Sequence, residues 1–303
     1  MSSKLQVAVI ALFLSVLGFF IMWYKAVYLN IPLMPHAKQS LFTISAEISF
    51  KGDNQPAQIS MALPGPQKDM RIVSRESESG EFGYTISQTS EGERAEWSKR
   101  SVSEKTKIFY KITVSPEPFS LRSDEEEGGQ KTFTAIPEEG MQEVLNLWEE
   151  SDRVAAMNLL DLVRERSADP VSFAAELIQQ FNAKEPNESV SILLKMRGQS
   201  KISLISALLV HEKILYRKVR GIFLEDKQKG RKLKSMLEVK GEEGWELFDY
   251  KTGHTIKADN FFVWHRGNEA LFRTKGVLKP KLHFSVTQTQ VPVTSTLTQQ
   301  NYE

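Results

Sequence analysis

No cysteine occurs anywhere in the 303 residues. That excludes disulfides, thiolate metal sites and any cysteine nucleophile. Charge of one sign is also missing: 39 Lys and Arg stand against 38 Asp and Glu. A net charge of +1 gives no electrostatic footprint for nucleic acid. Histidine is sparse, with His36, His211, His254, His265 and His283 scattered and no i,i+4 pair among them. Zinc wants three or four clustered ligands, so no metal site is read from the sequence, and no cofactor.

One long apolar run is present. From Leu5 to Tyr24, "LQVAVIALFLSVLGFFIMWY", twenty residues pass without a charge. Such a helix spans about 30 Å, the hydrocarbon thickness of a bilayer. Lys4 precedes it, and Trp23, Tyr24 and Lys25 close it as interfacial residues would. A cleaved signal peptide is the rival reading, but "FFIMWYKAVY" offers no small-residue cleavage site. The lipid bilayer is therefore an expected partner through residues 5–24, within an anchor assigned to 1–25. No second run of that length follows.

Residues 26–39 carry Pro32 and Pro35 and read as a stiff spacer. Strand periodicity then begins. In "FTISAEISF", Phe42, Ile44, Ala46, Ile48 and Phe50 alternate with polar residues. "AQISMAL", "MRIVSRE", "FGYTISQ", "RAEWSKR" and "TKIFYKITVS" follow between polar turns. Short strands at this spacing predict a small antiparallel sandwich over 40–116. Residues 117–137, with an acidic cluster from Asp124 to Glu127, read as a linker.

Over 138–290 the period changes and changes back. "SDRVAAMNLLDLVRER" predicts a helix with Ser151 available as N-cap, and "ADPVSFAAELIQQFN" one capped by Asp169 with Pro170 at its first position. "NESVSILLKM" and "SKISLISALLVHEKI" predict two more. "LYRKVRGIFL", "LKSMLEVK", "GWELFDY", "NFFVWHRG", "ALFRTKG" and "KLHFSVTQTQ" read as strands, and 291–303 as a tail. The fold class is α+β: an N-terminal span, a small antiparallel sandwich, then a helical cluster with an antiparallel sheet.

Two charged features stand out. "KQKGRKLK", Lys227 to Lys234, has five basic residues in eight. It reads either as an anion-binding surface or as a solvated loop. In "FFVWHRG", Trp264, His265 and Arg266 can line a recognition groove, or Trp264 can belong to the core beside Phe262.

From Ser200 to Asp249 a helix is followed by "YRKVRG", then by the hairpin "SMLEVKGEEGWELFDYKTG". Arg217, Val219 and Gly221 resemble the first strand of the transglutaminase-like, papain-like thiol core. Glu238, Val239, Gly244, Trp245 and Asp249 resemble its catalytic hairpin. The wider chain is similar to a bacterial family described as an inactive transglutaminase fused to seven transmembrane helices. "IPLMP", "ISMALPG", "RSADPVSFAAELIQQFN", "VRGIFLED" and "FFVWHRGNEAL" carry that likeness in order.

The resemblance implies that the family's cysteine position falls near Gly198 to Ser200 and its histidine position at Lys234 or Ser235. Thiol acyl transfer needs a nucleophile, a base and an orienting carboxylate acting together. Only the last is present, as Asp249. The chain is expected to be a pseudoenzyme, with Ser200, Lys234, Ser235 and Asp249 as degenerate catalytic positions. Trp245, Trp264, His265 and Arg266 are its expected binding residues. The implied placement is the bacterial inner membrane with the bulk periplasmic and a peptide or glutamyl-type ligand. A seven-helix membrane domain, present in full-length relatives, is the further expected partner. This chain then reads as part of a longer protein or as a shortened member. Two rivals stay open: a residual serine-type hydrolase using Ser200, and a purely structural scaffold.

Overall fold

The computed structural model describes residues 12–18, 20, 24, 38–67, 70–90, 92–116, 145–256, 260–267 and 269–292. The chain divides into two compact units, 1–41 with 289–303, and 42–288. In the first, residues 12–18 are helical, and Leu12, Phe13, Leu14, Val16 and Leu17 are exposed. Among the described residues no helix is long and apolar enough to cross a membrane. Most of the span expected over 5–24 lies outside them, as do the linker at 117–137, the tail beyond 292 and nearly all of the spacer at 26–39.

Six strands come first along the chain: β1 (Lys38–Gly52), β2 (Gln55–Ala62), β3 (Met70–Glu78), β4 (Gly83–Thr89), β5 (Gly92–Val102) and β6 (Lys105–Pro116). Alternation does what it predicts. Ile44, Ala46 and Ile48 of β1 are fully buried, and β1 pairs antiparallel with β6 from Phe42 opposite Val114 to Lys51 opposite Lys105.

Two strands from the far end of the chain complete these sheets. β13 (Phe272–Lys275) pairs with β2, Phe272 opposite Met61. β14 (Val277–Pro292) lies between β1 and β8 (Gln228–Arg231). The sheet orders are β3-β6-β1-β14-β8 and β13-β2-β5-β4. The sandwich expected over 40–116 is thus not closed by that segment. β1 and β2 each find only one partner within it, and the N–H and C=O groups of their other edges are taken up by strands from elsewhere in the chain. Phe284 and Val286 of β14 enter the same core as Ile48 and Trp97. Arg94, 3% exposed, holds the loop before β13 through a bond from Nη1 to Ala270 O of 3.0 Å.

Four helices follow: α1 (Glu150–Glu165), α2 (Pro170–Asn182), α3 (Glu188–Leu193) and α4 (Lys201–His211). Asp169 caps α2 as its sequence predicts, in a capping box with Ser172. The Ser172 hydroxyl, then the backbone N–H groups of Ser172 and Val171, hold the Asp169 carboxyl below the usual carboxylate range. α1 differs from expectation: Glu149 occupies its N-cap with no side-chain bond, and Ser151 lies inside the first turn.

The helices pack on one face of the third sheet, β11-β10-β9-β7-β12. Its strands are β7 (Tyr216–Phe223), β9 (Lys234–Lys240), β10 (Trp245–Phe248), β11 (Thr255–Ile256) and β12 (Phe261–Arg266), all antiparallel. Leu237, Val239 and Phe248 face the helices, while Val219, Met236, Leu247, Phe261 and Val263 form a separate small cluster. Gly221 is required where β7 meets β12. A Cβ there would stand 2.3 Å from Phe262 O and 2.4 Å from the Phe261 ring. The basic run 227–234 is not wholly loop, since β8 pairs with β14 at the sheet edge.

Candidate functional site

The four positions expected to be degenerate catalytic ones lie on separate local structures. Ser200 caps α4: its Oγ accepts from Ser203 N at 3.2 Å and lies 2.7 Å from Ser203 Oγ. Asp249 closes a turn. Its Oδ1 accepts from Lys251 N at 2.9 Å, and its carbonyl from Thr252 N and Gly253 N. That is the local bonding an Asp offers a turn on its own, with no histidine to orient. Lys234 opens β9 opposite Gly221, with Nζ 4.5 Å over the Phe223 ring. Ser235 sits opposite Arg220. Among the described residues no imidazole is bonded to the Ser200 hydroxyl. Among the described residues no three His, Cys, Asp or Glu side chains converge as a metal would need.

Of the expected binding residues, two belong to the interior. Trp264 is 1% exposed, donates from Nε1 to Ala62 O at 2.9 Å, and meets the Phe284 ring edge-on at 4.8 Å. His265 is buried, with Nε2 3.0 Å from Glu269 O. The groove reading of this pair is replaced by the core reading. A tryptophan in a run of apolar strand residues buries its ring wherever a partner can take its N–H.

The other two, Trp245 and Arg266, meet around a carboxylate that sequence patterning did not single out as a site. Glu238 lies in mid-β9 with its side chain 7% exposed. Arg217, its cross-strand neighbour on β7, donates from Nε to Glu238 Oε2. Arg266 donates from Nε to Oε2 and from Nη2 to Oε1, each at 3.3 Å. The Arg217 guanidinium also reaches across β9 to stack on Trp245, 4.0 Å from the ring centroid, and Lys240 Nζ lies 5.8 Å from the same ring. The signal in the sequence was a glutamate inside the apolar run "MLEV", since a charge there must be paired to be buried at all.

Two guanidinium groups thus share one carboxylate, and the Arg217 one lies against an aromatic face. Arg266 is 22% exposed and bonds Glu238 through Nε and Nη2, while Nη1 has no bond among the described residues. A guanidinium edge of this kind is suited to a carboxylate, and the neighbouring Arg217 guanidinium is the one stacked on the indole. On the opposite, helix-facing side of β7, burial pulls the Lys218 ammonium below its usual range and pushes the Tyr216 phenol up. Two surface depressions, of about 330 and 260 Å³, lie elsewhere, at Met157 with His211 and at His283 with Ser285.

Residues 24–197 match the model of a family described as an inactive transglutaminase fused to seven transmembrane helices. That is more than half of the chain. The chain belongs to this family. The description agrees with a sequence that holds no cysteine, and it associates the family with membrane helices. The match ends before Ser200, so the positions from Ser200 to Asp249 rest on their own geometry. No curated protein matches the chain. A crystal structure of a candidate cysteine protease from Cytophaga hutchinsonii is similar at 11% identity and a TM-score of 0.48, over 84% of this chain and 92% of that one.

Proposed function

We propose that this chain is a non-catalytic binding domain, anchored to the inner membrane by residues 5–24 with its bulk in the periplasm. Its ligand is a carboxylate-bearing peptide of the glutamyl type. The observation that carries this reading is the Arg217–Glu238–Arg266 group, with Arg217 stacked on Trp245 and Arg266 bonding Glu238 through Nε and Nη2 but, among the described residues, not through Nη1. The catalytic positions support binding over turnover, because the Ser200 hydroxyl is committed to its helix cap and Asp249 to its turn. The family's fusion to transmembrane helices and the chain's own apolar run support the membrane placement. In full-length relatives, the seven-helix domain is the partner proposed to receive the bound state.

The test is calorimetric titration of the full chain in detergent with a glutamyl tripeptide. Arg266→Ala should weaken binding at least about tenfold, the loss of one charge-assisted bond. Binding unaffected by Arg266→Ala and Trp245→Ala, or no binding at all, defeats the assignment. Ser200→Ala separates the two readings of that residue. It should lower stability by about 1 kcal/mol, the value of a cap, and leave the titration unchanged. A hydrolytic activity that Ser200→Ala abolishes would reverse the conclusion.

A further inference from the structure

Among the described residues the three sheets have six edges, and five are guarded. β3 carries a bulge between Ile72 and Ser74 and the charges Arg71, Arg75, Glu76 and Glu78. β8 and β13 are four residues long and each presents two cations. β11 has two residues, and β12 is broken by a bulge between Val263 and His265. These are the devices by which edges avoid pairing with another chain.

β4 has none of them. Over seven residues, "GYTISQT", it carries no charge and no proline, and its register with β5 runs unbroken from Gly83 opposite Ser98 to Thr89 opposite Gly92. Tyr84 and Ile86 lie opposite Trp97 and Ala95, on the core side of the sheet. Both of those partners are fully buried, yet Tyr84 is 38% and Ile86 50% exposed. The strand is therefore apolar on its inward face and open along its length.

We infer that β4 is a dimerisation edge, pairing antiparallel with β4 of a second copy of this chain. The sequence of the strand is complementary to itself. With Thr85 on the two-fold axis, Tyr84 stands opposite Ile86 of the second copy, and Ile86 opposite its Tyr84. Aromatic against β-branched is a favourable cross-strand pair, and the symmetry makes it twice. Phe82 then faces Gln88 and Glu81 faces Thr89, so no like charges meet along the strand. A two-fold, isologous contact needs no second sequence and is the commonest oligomeric solution. The four-stranded sheet would become an eight-stranded one running β13-β2-β5-β4 and back through the second copy.

The absence of cysteine makes the test clean. Thr85→Cys in the full chain, in detergent, should form a disulfide dimer on mild oxidation. Residues on the axis of an antiparallel pair have Cα atoms about 4.5–5.5 Å apart, within disulfide reach. Lys229→Cys, on the guarded edge β8, should not cross-link. Ile86→Lys, at a half-exposed position, should raise the dimer dissociation constant in sedimentation about tenfold or more, with an unchanged thermal melt at dilutions where both proteins are monomeric. A monomeric wild type overturns the inference. So does a dimer that ignores Ile86→Lys while Thr85→Cys fails to cross-link, because another surface would then be joining the copies. Neither result bears on the glutamyl titration, which reads a different sheet.

Discussion

Trp264→Ala is expected to lower the unfolding free energy by about 4 kcal/mol, the range for deleting a large buried aromatic. Trp264 extends from β12, in the third sheet, into the sandwich. Its ring stands edge-on to Phe284 of β14 at 4.8 Å and to Tyr110 of β6 at 6.3 Å, and its N–H bonds Ala62 at the end of β2. One side chain thus touches all three sheets. Alanine there leaves a cavity among rigid strands that cannot close in, and strands a buried carbonyl at Ala62. Against a typical stability of about 5–15 kcal/mol this is a large fraction. Urea unfolding measures it, as a shift in midpoint at constant slope. Trp264→Phe should recover part of the loss by filling some of the space, though not the hydrogen bond. A loss below about 1 kcal/mol for Trp264→Ala would mean that the residue is not the junction described.

The second large effect is at Glu238. Glu238→Gln removes the negative charge between two guanidinium groups and should destabilise by about 3 kcal/mol, as breaking a buried ion pair does. The side chains of Arg217 and Glu238 are 12% and 7% exposed, so salt should change that value little. A contrasting variant separates stability from function. Replacing all three charges with apolar residues, Arg217→Met, Glu238→Leu and Arg266→Met together, removes the desolvation cost with the attraction. It is expected to be near neutral or stabilising, yet to lose the glutamyl titration. If the triple variant is as unstable as Glu238→Gln, the group is held there by packing demands, and its charge is not retained for a ligand. Denaturant unfolding and calorimetry on the same two proteins decide it.

Periodicity alone located most elements. The alternation of Phe42, Ile44, Ala46, Ile48 and Phe50 fixed both the strand and its buried face, and Asp169-Pro170 fixed the start of α2. Such signals are local: a two-residue or 3.6-residue period is a property of the chain within a few residues. The misassigned details are those that local signals share. Glu149 and Ser151 both sit where a cap could be, and the packing of α1 chose between them. β8 falls inside a run of cations that reads as loop, because its pairing with β14 comes from a strand more than fifty residues away in sequence. At the site, Trp245 and Arg266 were legible as types, but Trp264 and His265 were placed beside them only by sequence adjacency. Alternation sets His265 on the face opposite Arg266, and the bulge between Val263 and His265 turns Trp264 to the sandwich core although it stands two residues from Arg266.

By itself the sequence determined three things about this protein: the lack of any thiol nucleophile, the alternating strands flanking a helical cluster, and the likeness to an inactive transglutaminase family. Each follows from residue identity or from short-range period. Only the tertiary structure decided that β13 and β14 complete the sheets begun by β1 and β2, that Trp264 is their common core, and that Arg217, Glu238 and Arg266 form one charged group. The physical reason is that strand pairing is non-local. A strand edge and a buried charge each require a partner, but nothing within a few residues of either says where along the chain that partner lies.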